Sequence, residues 1–597
     1  MLREKLGETD HMIVVVFKMK RWHIVLLAAA GIVNTEIARG QIVRSESADL
    51  VLRNGKLVTL EREAAEAQAL AARGGKIVAI GTNQQVAAFI GPSTRVIDLK
   101  GRLAIPGFIE GHGHFTDLGA SKMMLDLRAA KDWDEIVAMV AAAAREARPG
   151  AWILGDGFHQ AKWNRPPEPN VRGFPVHQSL SRVSPRNPVW LTHASGHAGF
   201  ANAEALREAG VDKDTPDPAG GEILRDQQGD PTGLLNERAQ ELVERVLDSH
   251  RARRSEAEAD AESREQIRLA ERECLSKGIT TFEDAGSPLG TVDLFRTMAE
   301  HGELGLRLWV MLRAPASELR ANLRRYYMLG VGNDHLTVRA IKEYMDGALG
   351  SRGAWLLAPY SDLPANAPNR IGINTENLAD IRQTAELAIN NGFQLCTHAI
   401  GDRANREVLN LYQAVFQEHP EQKNLRWRIE HAQHLDPADI PRFAKLGVIA
   451  AMQGIHCTSD GPFVIARLGF DRAQAGAYVW QKLMKSGAVV GNGTDTPVED
   501  VDPIQSYYAS VSRRLKDGTV FFPDQRMSRM EALRSYTINN AYAAFEEGSK
   551  GSLKLGKLAD VTVLSRDILT VPEDEIRSAR VDYTIVGGKV MYERGAK

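Results

Sequence analysis

Between Leu103 and Asp495, short apolar runs alternate eight times with helical stretches, and this alternation restricts the fold more than any other feature. The runs are Leu103 to His114, Gly278 to Gly286, Leu306 to Leu312, Leu336 to Asp346, Phe393 to Asp402, Leu425 to His434, Val448 to His456 and Ala488 to Asp495. Most are apolar in the middle and end in polar, Gly-flanked residues. Continuous apolar runs separated by helices call for a parallel sheet buried on both faces. Eight such units call for an α/β fold closed as a (β/α)8 TIM barrel, here expected over residues 103–546.

The two chain ends have another texture. Asp49 to Leu60 reads as a hairpin with an Asn-Gly turn, and Lys76 to Ile80 and Arg95 to Leu99 continue the pattern. Ala559 to Leu564, Val581 to Val586 and Lys589 to Tyr592 alternate in the same way around Gly587-Gly588. Neither end is long enough to bury a sheet face alone. Together, 46–102 and 547–597 are expected to form one small β-sandwich. The connection from Phe115 to Lys277 is far too long for a loop. It holds helical stretches (Trp133 to Arg148, Glu237 to Ser276) and reads as an inserted subdomain, 116–277, over the barrel mouth. The charged stretch Arg251 to Arg272 is a solvated helix face.

Residues 1–40 stand apart. Lys18, Lys20 and Arg21 precede the apolar run Ile24 to Val33, and Ala38-Arg39-Gly40 follows. This is the layout of a secretory signal, and the run is too short to span a bilayer. The expectation is export, to a periplasm or the exterior, with a mature chain starting near Gln41; a disordered or interfacial tail on a cytoplasmic protein is the other reading. No later segment suggests a membrane helix. A formal net charge of −2 without any basic block argues against nucleic acid as a partner. Self-association into a homo-oligomer is left open. Cys274, Cys396 and Cys457 are too few for a disulfide framework and read as small core residues.

The chemistry concentrates at the ends of the runs. In Gly111-His112-Gly113-His114 the two imidazoles are two residues apart, so they share one face of a strand. At the C-terminal end of a barrel strand that face opens on the active site. Alone the pair is weak, since two structural histidines would give the same pattern. Lys342, His398, His431 and Asp495 occupy matching places in runs four, five, six and eight. Imidazole nitrogen and carboxylate oxygen are zinc-type ligands. Lys342 is odd in a mostly apolar strand. Either it pairs with Glu343 or Asp346, or carbon dioxide carbamylates it into an anionic bridge between two metals.

In this order of ligands and this split sandwich, the chain resembles the amidohydrolase superfamily. It is most similar to the group that includes the N-substituted formamide deformylases and the YtcJ-like proteins. Supporting segments are His193 to His197 with Asn202, Asp346 to Arg352, His398 to Asp402, and Met452-Gln453 with His456; Gly454 stands where the group often has Pro. The resemblance implies that His112, His114, Lys342 and Asp495 hold one Zn2+, and Lys342, His398 and His431 a second. One-metal and two-metal members both exist. Such an ion lowers the pKa of bound water from about 15.7 towards about 7. Asp495 would be general base and then acid, or a ligand only. His197 and His456 would contact the oxyanion or substrate, or simply pack. Arg352 and Asp402 would orient other groups or pair at the mouth. Trp163, Trp355 and Trp480 would line a pocket or belong to the core. The implied activity is hydrolysis of an amide or formamide bond in a small molecule. Deamination, ester hydrolysis, decarboxylation and isomerisation use similar ligands, and a binding or regulatory protein is the reading from another class.

Overall fold

The computed structural model describes residues 46–596, apart from 62–65, 159, 161–162, 194–197, 219–220, 351 and 367–369. The expected signal segment, 1–40, and His197 therefore lie outside the described residues. Among the described residues no helix is long and apolar enough to cross a membrane.

Eight parallel strands carry the site: β1 (Phe108–Gly113), β2 (Ile279–Ser287), β3 (Arg307–Leu312), β4 (Leu336–Tyr344), β5 (Gln394–Ala399), β6 (Arg428–His431), β7 (Ile449–Gln453) and β8 (Val490–Gly493). They pair in chain order. The sheet closes between β8 and β1 by individual bonds. Asp495 N donates to His112 O at 2.8 Å, and His114 N donates to Thr496 O at 2.7 Å. Lower in the seam, Asn540 Nδ2 donates to Ile109 O and to Asn492 O, each at 2.8 Å, while its Oδ1 accepts from Asn492 N at 3.1 Å.

Glycine makes this approach feasible. A Cβ at Gly111 would lie 2.5 Å from Asn492 O, and one at Gly493 would lie 2.6 Å from His112 N. The barrel is the expected (β/α)8 architecture, with one difference at its start. The run Leu103 to His114 is two strands. Leu103–Pro106 belongs to another sheet, and the chain enters β1 through Gly107, where a Cβ would meet Thr280 Oγ1 at 2.1 Å.

Leu103–Pro106 pairs in parallel with Lys56–Val58 and antiparallel with Val561–Leu564, so one six-stranded sheet is shared by the two chain ends. Leu50–Arg53 lies in a separate four-stranded sheet between Ala69–Arg73 and Arg95–Asp98. The hairpin expected over Asp49 to Leu60 therefore does not form. Asn54 does adopt the left-handed conformation of a turn, with φ 56°. That turn carries the chain from one sheet to the other, because Leu52 and Leu57 must both reach the core they share with Val561, Val563 and Ile585. The Gly587-Gly588 hairpin forms as expected, with Val581–Val586 antiparallel to Lys589–Glu593 and both glycines at positive φ.

Between β1 and β2 lies a six-stranded sheet with two hydrophobic clusters of its own, which run from Leu125 to Leu247. Helix Glu256–Ser276 follows. It buries Ile267, Ala270, Cys274 and Leu275 in the main core, together with Phe115 and Phe282. Its first turn is closed by a capping box between Ser255 and Glu258. All three cysteines are free and buried.

One buried ion pair ties β3 to the C-terminal strands. Arg307 Nε and Nη2 reach Asp560 Oδ2 and Oδ1 at 2.8 and 3.0 Å, and Gly587 N donates to Asp560 Oδ1 at 2.7 Å. Burial pushes the Asp560 carboxyl up, but Arg307 more than offsets this and holds it below its ordinary range. Removing one member strands a buried charge, which costs about 3–5 kcal/mol. Asp560→Ala is expected to lower the unfolding free energy by an amount of that order and to move the urea midpoint down, read by circular dichroism. An unchanged midpoint would show that the pair contributes nothing.

Candidate metal centre

The ends of β1, β4, β5, β6 and β8 bring the expected residues to one place. One ligand atom each of His112, His431 and Asp495 lie within 4.8 Å of one another, and all three residues are buried. Asp495 Oδ1 is 3.3 Å from His114 Nε2 and 3.5 Å from His112 Nε2, and its Oδ2 is 3.9 Å from His456 Nε2. The His398 ring lies 4.4 Å, centroid to centroid, from His431. Lys342 Nζ sits 4.7 Å from the centre of the Tyr344 ring, which borders His398 at 5.3 Å.

Two of these positions depend on unusual backbone. In a regular strand Glu430 and His431 face opposite ways. His431 has φ 73° and Ala432 φ 42°, which turns the imidazole back toward the pocket. Asp495, just past β8, has φ 59°. Non-Gly residues in this region persist only where the surroundings impose it, and such places cluster at functional sites.

The electrostatics suit a cation. Burial and the neighbouring Lys342 charge hold His398 well below its ordinary pKa, and burial and His398 do the same to His431. Both rings are thus neutral, the form that offers a lone pair to a metal. Burial would raise the Asp495 carboxyl, but the His112, His114 and His431 imidazoles around it hold it well below its ordinary value. Burial lowers His114, and Asp495 more than compensates and leaves it raised. A bound metal ion fits these residues. Among the described residues His112 Nε2, His398 Nε2, His456 Nε2 and Lys342 Nζ are buried without a hydrogen-bond partner. Buried polar groups are rarely left so, and the orphaned imidazole nitrogens of His112 and His398 fit a bound cation.

The pairing considered for Lys342 is not found. Glu343 Oε2 is taken by Arg313 at 2.9 Å. Asp346 accepts from the backbone N–H groups of Ile400, Gly401 and Trp355 at 2.8–2.9 Å and approaches His398 Nε2 at 3.5 Å. Burial pushes the Asp346 carboxyl up to about 7, against those three bonds.

The outer candidates separate. Arg352 does not pair with Asp402; it binds Asp362 at 2.8 Å, and Asp402 accepts from Leu357 N and Arg403 N. Trp480 is fully buried, with the Arg513 guanidinium 4.6 Å from its ring centre, so it belongs to the core. Trp163 packs with Phe158 inside the insertion, and Trp355 lies under Arg403. Asn202 caps helix Ala203–Ala209. Gly454 opens helix Gly454–Leu468, and its N–H donates to Asn492 Oδ1 at 2.8 Å, a bond proline could not make.

Residues 95–592 match the model of the Amidohydrolase family. The chain belongs to that family. It is 34% identical to Protein LONG AFTER FAR-RED 3 of Arabidopsis thaliana, over 91% of this chain and 92% of the other. It is 28% identical to the N-substituted formamide deformylase of Arthrobacter pascens, over 92% and 98% respectively. The crystal structure of an uncharacterized metal-dependent hydrolase from Pyrococcus horikoshii superposes with a TM-score of 0.71 at 25% identity, covering 88% of this chain and 99% of that one. Family and neighbours together support a metal-dependent hydrolase.

Sequence reasoning gave no role to the residues just beneath the pocket. Glu430 contacts His112 Nδ1, Gln453 Oε1 accepts from His431 Nδ1 at 2.7 Å, and Asp284 Oδ1 accepts from Phe115 N beside His114. Arg428 and Glu283 are missing from the expected set too. A cue existed: each charged residue among them sits in an apolar barrel strand, the same oddity that singled out Lys342.

The purified protein is expected to carry about one to two zinc-type ions per chain, as the donor set implies. Elemental analysis checks this. His112→Ala should lose metal and activity together. Full activity in a protein stripped of metal would sink this reading of the cluster.

Proposed function

We propose that the protein hydrolyses a non-peptide carbon–nitrogen bond, an amide or formamide of a small molecule, with water activated at a zinc site. His112, His114, Lys342 and Asp495 would hold one ion, and Lys342, His398 and His431 a second. The observation that carries the reading is the Asp495 carboxylate, set among His112, His114 and His456 at 3.3–3.9 Å. When bound, the metal supplies Lewis acidity and acidifies water.

The rest falls to the chain itself. Asp495, held ionised, takes a proton from the attacking water as its oxygen adds to the substrate carbonyl carbon. It then delivers that proton to the nitrogen as the carbon–nitrogen bond breaks, which leaves an acid and an amine. His456 Nε2, beside Asp495 Oδ2, is free to donate to the developing oxyanion. His197 is proposed for a substrate contact from the insertion, which leaves the barrel at the end of β1 and so at the face that bears the site. An unpaired ammonium at Lys342 would be costly in this buried place, which favours its carbamylated form as the bridge. The relative named as a deformylase supports the formamide choice. The non-catalytic reading fits the donor set less well, since a purely binding protein needs no proton carrier beside the metal.

Asp495→Asn tests the assignment. Asn keeps the shape and one carbonyl oxygen but cannot accept the proton. With an N-formyl or N-acyl amine found by screening, kcat should fall by about 10²–10⁴ while most of the metal stays bound. Near-normal kcat would reduce Asp495 to a ligand and move proton transfer to His456 or His197.

A further inference from the structure

Beneath the metal ligands, the barrel interior carries a charged layer instead of the usual apolar one. Arg428 and Glu430 lie two residues apart on β6 and so face the same way, and Glu283 faces them from β2. All three side chains are almost completely buried. Arg428 Nε and Nη2 reach Glu430 Oε1 and Oε2 at 2.6 and 3.0 Å, a two-point grip. Its Nη2 also donates to Gly111 O at 2.6 Å, and its Nη1 to Glu283 Oε2. The Trp309 ring, 5.4 Å away, backs the guanidinium. Glu430 Oε2 in turn contacts His112 Nδ1.

We infer that Arg428 and Glu430 are a positioning pair for the metal centre. Glu430 takes the Nδ1–H of His112 and so leaves Nε2 as the lone-pair nitrogen facing Asp495. Arg428 fixes Glu430 and, through Gly111 O, the strand that bears His112. His431 is served differently. Its Nδ1–H donates to the neutral amide oxygen of Gln453, whose Nε2 is anchored on Ala451 O at 3.1 Å. His112 is thus held by a carboxylate and His431 by a neutral amide. Partners of this kind typically change metal affinity by roughly 10–100-fold. The inference rests on the metal site proposed above.

The test compares zinc affinity, measured by competition against a chromophoric chelator, for the whole chain and three variants. Glu430→Gln should bind zinc roughly 10–100-fold more weakly, with a shifted visible spectrum when cobalt(II) replaces zinc. Arg428→Lys keeps the charge but loses the two-point grip, and should weaken binding in the same direction by a smaller factor. It also serves if Glu430→Gln does not fold. Glu283→Gln touches the same arginine but no histidine; it should lower thermal stability and leave zinc affinity unchanged. Wild-type affinity in Glu430→Gln and Arg428→Lys overturns the inference. So does an equal loss in Glu283→Gln, which would reduce the pair to packing. A wild-type chain that binds no zinc overturns the underlying site as well.

Discussion

The contact between the first and last barrel strands governs the rest of the molecule. No long ladder joins β8 to β1. A few backbone bonds, two glycines and the side chain of Asn540 make the junction. That junction places His112 and His114 beside Asp495, because the bond from Asp495 N to His112 O is part of both closure and site. Fold and chemistry therefore share the same atoms. A side chain at Gly111 or Gly493 would force the strands apart and, in the same movement, spread the ligands.

The pocket above is built against local preference. A lysine, an arginine and several carboxyls occupy barrel strands that elsewhere bury Ile, Val and Leu, and His431 and Asp495 hold left-handed backbone. Each such choice opposes folding by roughly 1–3 kcal/mol. What offsets them is the surrounding mass of apolar packing, one cluster whose members run from Val58 to Val586. The charged interior also rests on a small apolar layer of Ala285, Trp309, Met311, Ala340, Cys396 and Ala544 within the barrel. Water is excluded from below, so the interactions above act in a weakly screening medium.

Periodicity made the barrel legible, because eight doubly buried strands leave unbroken apolar runs. It also singled out His112, His114, Lys342, His398, His431 and Asp495 as candidates, at the places where runs end. It misjudged the turn at Asn54-Gly55. An Asn-Gly pair states that the chain turns, whereas the partner of the following strand is decided by Leu103–Pro106 and Val561–Leu564, far away in sequence. It could not show how His431 and Glu430 both serve the site, since that depends on a single dihedral angle. Nor could it separate Trp480, a core residue, from a pocket residue, because apolar bulk reads alike in both places. Charge inside apolar strands was the underused signal.

The bond between Arg307 and Asp560 has a consequence for synthesis on the ribosome. The N-terminal strand Leu103–Pro106 waits for Val561–Leu564, β3 waits for Asp560, and the seam waits for Asn540. Nearly the whole chain must therefore emerge before the barrel can close or its N-terminal sheets can be completed. Contacts of such long sequence separation form slowly, and until they form, the apolar edge of β1 stands open to other chains. Passage through that interval, more than the stability of the finished fold, is where this architecture is most exposed to aggregation.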